Sequence, residues 1–128
     1  MPRKKSVVLT DHELRLMDVL WRLERGTVAE VVAKLPPPPL AYSTVLTTLR
    51  TLESKGYLTH EEDGRAYVYR PVIARNDAAR SAVDHVLGRF FGNSPGALAV
   101  ALLGNESLSD DELATIQRLI QQRKKSAR

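Results

Sequence analysis

One stretch, AYSTVLTTLRTLESKGYLTHEEDGRAYVYRP from Ala41 to Pro71, limits what this chain can fold into more than any other. Val45, Leu49 and Leu52 recur at helical spacing, and Leu58 opens the next element. Gly56 follows Lys55 where a helix C-terminus wants a left-handed residue. Tyr57 to Glu62 and Arg65 to Arg70 then flank Asp63-Gly64, which reads as a two-residue hairpin turn with positive φ at both positions. A helix running directly into a hairpin, after two shorter helices, is the order of a winged helix-turn-helix. Modules of that kind lay their last helix in the DNA major groove, so the expectation is a DNA-binding chain.

At 128 residues the chain holds one full domain or two very small ones. Hydrophobic residues make up 43% and aromatic residues only 5%, so the core must be largely aliphatic. There is no cysteine, which excludes disulfides and thiolate metal sites and fits a reducing cytoplasm. The leading MPRKKSVVL is basic without a long apolar run, which argues against a signal peptide. No segment approaches the ~20 apolar residues of a membrane span. The expected location is therefore cytoplasmic. Net charge is +4, compatible with nucleic acid but not decisive. Residues 1–71 carry 11 Lys/Arg against 9 Asp/Glu, and residues 72–128 carry 8 against 6, so the excess is +2 in each part. A DNA face must then come from arrangement rather than bulk charge. Arg3-Lys4-Lys5 and Arg123-Lys124-Lys125 hold much of the excess and read as solvated, disordered ends.

Three helix starts share one device. Thr10 precedes Glu13, Thr27 precedes Glu30 and Ser109 precedes Glu112, each a capping box. The first helix is expected from Asp11 to Glu24, with Leu14, Met17, Val19, Leu20 and Trp21 as its apolar face and Gly26 as its stop. The second runs from Val28 to Leu35, with Val28, Val31, Val32 and Leu35 inward. Pro36 to Pro39 cannot continue a helix and should form a stiff connector. A boundary is placed after Ile73, giving a winged-helix DNA-binding domain at 1–73 and a helical dimerisation domain at 74–128. In the second part Ala79, Val83, Val86, Leu87, Phe90 and Phe91 keep helical spacing from Asn76 to Phe91. Ala97 to Leu103 is short and apolar, and Leu113, Ile116, Leu119 and Ile120 mark a last helix from Asp110 to Lys124. Three such helices cannot bury themselves well alone. A second copy would cover them, through Val83, Val86, Phe90, Leu102, Leu113, Ile116 and Ile120; the alternative is packing back on the winged domain.

With Val45, Leu49 and Leu52 inward, the opposite face of the third helix holds Ser43, Thr44, Leu46, Thr47 and Arg50. Hydroxyls near a helix N-terminus suit phosphate oxygens. Leu46 either touches a thymine methyl or packs as a core neighbour of Val45. Tyr42 either meets the DNA backbone or packs at the start of the helix. Thr48 and Thr51 read as structural. Arg65, just past the Asp-Gly turn, can reach a phosphate, or is solvated wing-tip charge. Tyr67 and Tyr69 share a strand face and are expected against the helices. The DNA-contact set is thus Tyr42, Ser43, Thr44, Leu46, Thr47, Arg50 and Arg65.

Enzymatic chemistry finds no support. His12, His60 and His85 lack ligand spacing, and there is no HExxH, GxSxG or glycine-rich phosphate loop. Asp110-Asp111-Glu112 is explained by the helix dipole. No catalytic residue, metal ligand or cofactor is expected.

The segments LTDHELRLMDVLW, STVLTTLRTLESKGYL, DGRAYVYRP and LSDDELATIQRLI, in this order, resemble the penicillinase-repressor family of bacteria, which includes BlaI/MecI regulators and CopY-type copper-responsive repressors. The resemblance runs from Leu9 to Ile120. It implies an N-terminal winged helix, a C-terminal three-helix dimerisation domain, and a homodimer on a palindromic operator. CopY-type members carry Cys-x-Cys pairs, which this chain lacks. BlaI/MecI-type members are inactivated by a membrane sensor-protease system that cuts an Asn-Phe bond; counting back from Glu106-Ser107-Leu108-Ser109, the matching pair here is Ala101-Leu102. The family's serine near the start of the recognition helix is replaced by Ala41, which weakens that cap. The sequence therefore reads as a mainly α repressor with a small antiparallel hairpin, binding a pseudo-palindromic operator as a homodimer. The alternative is a winged-helix protein-interaction module without specific DNA binding.

Overall fold

A computed structural model describes residues 8–105 and 107–126, so Arg3-Lys4-Lys5 and Glu106 lie outside the described residues. The elements run α1 (Asp11–Leu23), α2 (Val28–Lys34), α3 (Tyr42–Lys55), β1 (Leu58–Asp63), β2 (Ala66–Pro71), α4 (Arg75–Phe90), α5 (Pro95–Asn105) and α6 (Asp110–Ser126). This is a mainly α chain with one two-stranded antiparallel sheet.

All three capping boxes form. Thr10 Oγ1 accepts from Glu13 N at 3.2 Å while Thr10 N donates to Glu13 Oε1 at 2.9 Å, and Thr27/Glu30 and Ser109/Glu112 repeat the exchange. Each satisfies donors that a helix start leaves open.

The end of α1 differs from expectation. Glu24, not Gly26, takes the left-handed conformation (φ 74°) and donates to Leu20 O. Gly26 is claimed instead by the hairpin: it exchanges backbone hydrogen bonds of 2.9 and 2.8 Å with Tyr69. The second helix likewise stops at Lys34, with Leu35 already extended.

Leu16, Met17, Val19 and Leu20 of α1 meet Val28 and Val31 of α2 and Val45, Leu49 and Leu52 of α3 in the core, which Tyr57, Leu58 and Tyr69 close from the hairpin side. Burying side chains of this size stabilises by about 1.5–3 kcal/mol each. Leu14 is 40% exposed, a correction to its expected core place. It lies on the flank of the buried stripe, seven residues before the half-buried Trp21, and Leu16 takes the inward position. Leu14 and Trp21 border a cleft of about 220 Å³ whose other wall includes Arg75, Ala78 and Ala82.

The four prolines form no helix, as expected, and the segment is held from a distance. The Arg15 guanidinium donates to Pro36 O at 2.8 Å and also to Pro38 O. The hairpin is shifted one residue from the expected turn. Asp63 pairs with Ala66 in the ladder, leaving Gly64-Arg65 as the two-residue loop. Gly64 has φ 66° and Arg65 is not in the positive region, the glycine-first arrangement of a type II′ loop.

The first compact unit reaches Val86 and the second begins at Leu87, beyond the boundary expected after Ile73. The start of α4 is tied into the first unit: Ala78, rather than Ala79, is buried, Trp21 Nε1 donates to Ile73 O at 2.9 Å, and Arg75 Nε bonds Asp18 Oδ1 at 3.2 Å. In the second unit Gly92 and Asn93 both have positive φ, and Ser94 Oγ accepts from Ala97 N at 3.0 Å to start α5. Arg123-Lys124-Lys125 is not a disordered end but the last turn of α6, where positive charge meets the helix dipole. No single described helix is long and apolar enough to cross a membrane.

Candidate nucleic-acid interface

The rotation of α3 follows from its apolar stripe. Val45, Leu49 and Leu52 are fully buried, which turns Tyr42, Ser43, Thr44, Thr47 and Arg50 outward. Its C-terminus is closed by Gly56 (φ 92°), with Gly56 N donating to Glu53 O and Tyr57 N to Leu52 O. Its N-terminus is open: Ala41 supplies no side-chain cap.

Thr48 donates to Thr44 O at 2.8 Å and Thr51 to Thr47 O at 3.1 Å, so both hydroxyls serve their own helix, as expected. Among the described residues the hydroxyls of Ser43, Thr44 and Thr47 have no partner in the chain, which leaves them open to an external acceptor or donor. Leu46 is half-buried and does two things: it packs against the core and lines an open groove of about 310 Å³. Tyr42 and Arg65 border the same groove, with Thr27, Ala66 and Tyr67. Helix and wing therefore bring Tyr42, Leu46 and Arg65 together, beside the exposed hydroxyl row. Arg50 is exposed, with its charge close enough to the Tyr69 phenol to favour its ionised form. Burial and the Glu53 charge push the Tyr69 phenol up, against the pull of Arg50.

Two polar ties hold this surface, and neither was found from sequence. His60 Nδ1 lies 2.7–2.8 Å from both Glu53 carboxylate oxygens, and its ring stacks on Tyr67 at 4.2 Å. Tyr67 therefore packs on the hairpin and stays partly exposed, whereas Tyr69 is buried as expected. Lys55 Nζ bonds Glu13 Oε1 at 2.7 Å, joining the end of α3 to the start of α1. Burial pushes the Glu13 carboxyl up, but hydrogen bonds from Lys55 and Thr10 and the Lys55 charge outweigh it and hold the group below its ordinary range. Glu13 reads locally as a capping residue only; its charged partner is 42 positions away. On the wing, Arg70 bonds Glu61 at 3.1 Å, while Arg65 makes no ion pair among the described residues.

A helix with an exposed polar face, seated on two shorter helices and followed by a hairpin, defines a winged-helix module of the DNA-binding class. The family model described as penicillinase repressor matches residues 9–122, and the chain belongs to that family. It is similar to the penicillinase repressor of Bacillus licheniformis, 29% identical over 122 residues, covering 94% of this chain and 95% of that one. It is also similar to the transcriptional regulator BlaI of Mycobacterium tuberculosis, 32% identical over 119 residues, covering 91% and 85%. The solution structure of the DNA binding domain of the repressor BlaI matches with a TM-score of 0.51 at 33% identity, over 58% of this chain and 93% of that one. The protein is thus a DNA-binding transcriptional repressor of BlaI type and not an enzyme.

Proposed function

We propose that this repressor binds a pseudo-palindromic operator as a homodimer, in the cytoplasm, with α3 in the major groove and the Arg65 wing on the flanking backbone. The observation that carries the DNA half is the unpartnered hydroxyl row Ser43, Thr44 and Thr47, held outward by the fully buried Val45, Leu49 and Leu52. Tyr42, Leu46 and Arg65 around one groove add an apolar and a cationic contact beside it. Arg50, exposed on the same outward face of α3, adds a cation for the DNA backbone.

The dimer half rests on exposed apolar side chains. Val83, Val86 and Phe90 on α4, Leu102 on α5, and Leu113 and Ile120 on α6 are all large and exposed, with Ile116 half-exposed among them. Two winged units on one two-fold axis suit half-sites spaced by about one or two DNA turns. A membrane sensor-protease is a candidate partner through the family, but Ala101-Leu102 stands where the relatives' scissile Asn-Phe does, so release of DNA here proceeds by another bond or another signal.

Selecting a binding duplex from random DNA and titrating it in rising salt, with bulk DNA as competitor, tests the reading. Specific binding should resist competitor and fall by several orders of magnitude between about 50 and 200 mM salt. Failure to enrich any duplex would remove the operator reading.

A further inference from the structure

Tyr67 stands on β2, two residues past Arg65, and borders the same groove as Tyr42, Leu46 and Arg65. It is 42% exposed, and among the described residues its hydroxyl has no partner in the chain. Its ring is nevertheless held. The His60 imidazole stacks on it, with centroids 4.2 Å apart and planes 16° from parallel. His60 is fixed in turn, its Nδ1 lying 2.8 and 2.7 Å from the two carboxylate oxygens of Glu53. An ionised carboxylate only accepts, so Nδ1 carries the hydrogen and donates. Glu53 belongs to the last turn of α3. The run Glu53, His60, Tyr67 therefore leads from α3 through β1 to β2. Tyr69 two residues on is buried in the core, whereas Tyr67 packs outside it, so burial does not account for an aromatic clamped at this surface.

We propose that Tyr67 is a further DNA contact, its hydroxyl donating to a phosphate oxygen beside Arg65, and that His60 and Glu53 are positioning residues that aim it. This rests on α3 and the wing meeting DNA, and adds one contact and the groups that hold it. A phenol on a free ring gives up rotation when it meets a phosphate; a stacked ring has given it up already. The brace is anchored on α3, so the hydroxyl is set against the helix that carries the exposed Ser43, Thr44 and Thr47. The contact is uncharged on the protein side. It adds a hydrogen bond, displaces no counterion and reads no base.

Tyr67→Phe keeps the ring on His60 and removes only the hydroxyl. The full-length native chain and the variant are titrated at several salt concentrations, with a selected duplex and with mixed-sequence DNA. Binding should weaken about three- to tenfold per subunit on both DNAs, with the salt slope unchanged. Arg65→Ala lowers that slope, which tells the two contacts apart. The positioning half is read by coupling. In a His60→Ala or a Glu53→Ala background the Tyr67→Phe step should cost less than about twofold, because the hydroxyl is no longer aimed. Two backgrounds are used so that a folding defect in one, seen in its urea midpoint, leaves the other to decide. Native-like binding by Tyr67→Phe on both DNAs would overturn the contact, and a loss confined to the selected duplex would overturn its assignment to phosphate. A full Tyr67→Phe loss in the folded backgrounds would overturn the positioning by His60 and Glu53. A backbone contact is read on mixed-sequence DNA even where no duplex is enriched, an outcome that would overturn the operator reading alone.

Discussion

Replacing Lys55 by Met removes one ammonium and leaves a carboxylate stranded. The two side chains are 2.7 Å apart, with Glu13 6% and Lys55 22% exposed. Methionine keeps the stem length and helix propensity, so α3 itself should persist. Breaking a buried pair from one side costs about 3–5 kcal/mol, and a hydrogen bond to a charged group contributes about 1.5–3 kcal/mol. Water reaches Lys55, and Glu13 keeps its bonds to Thr10, so the lower part of that range applies: about 2 kcal/mol. The sign with pH is the sharper test. The Glu13 carboxyl sits below its ordinary value of 4.5 in the native fold. Its contribution is therefore complete above that value and is lost as pH falls through the lowered folded value. Without Lys55 the largest remaining influence is burial, which favours the neutral acid. The deficit of the variant should be largest near about pH 7 and shrink by about pH 3. Urea unfolding at fixed protein concentration, read by the single tryptophan Trp21, measures it. A deficit equal at both pH values, or below about 0.5 kcal/mol, would show that this pair does not tie α3 to α1.

Ser43→Ala with Thr47→Ala should weaken operator binding by about 1 kcal/mol per lost hydroxyl without changing the urea midpoint; unchanged affinity in gel-shift titrations would take this face out of the interface. Arg65→Ala should weaken specific and bulk DNA alike and lower the salt slope by about one unit per half-site, because a phosphate contact reads no base. A loss confined to the selected operator would mean instead that Arg65 reads sequence. Ile116→Asp should shift the sedimenting species to monomer by placing an unpaired charge in an apolar interface, and a variant that still dimerises like the native chain would exclude Ile116 from it. A sensor protease specific for Asn-Phe should leave the chain whole on a gel, whereas a clean cut at Ala101-Leu102 would show that the missing asparagine is immaterial.

What could be read in the sequence was local. The capping boxes each join residues three positions apart, so both partners stand in one short window. The α3 stripe is legible for the same reason, and its rotation sorted Thr48 and Thr51 from Thr44 and Thr47. The hairpin slipped by one residue because Asp63-Gly64 and Gly64-Arg65 both suit a two-residue loop; only the pairing of Asp63 with Ala66 decides between them. Gly26 looked like a helix stop because nothing near it in sequence reveals Tyr69 as its pairing partner. Leu14 and Leu16 both fit a helical period, and the choice belongs to the elements packed around α1. The Lys55–Glu13 and His60–Glu53 ties depend on which elements meet, which spacing along the chain does not encode.

The hold of Arg15 on the carbonyls of Pro36 and Pro38 has a consequence for how this molecule tolerates change. The guanidinium grips main-chain oxygens, which every residue possesses, so the restraint does not read the side chains of the segment it fixes. Substitutions along 36–39 that preserve the path of the backbone are invisible to it. Loss of one arginine on α1 instead removes both side-chain holds on the prolines at once, leaving the segment to Leu35 and Leu40 at its ends, and four consecutive residues without an N–H have no donors with which to re-anchor themselves. Sequence drift is thus cheap at the turn itself and costly at a position a helix away.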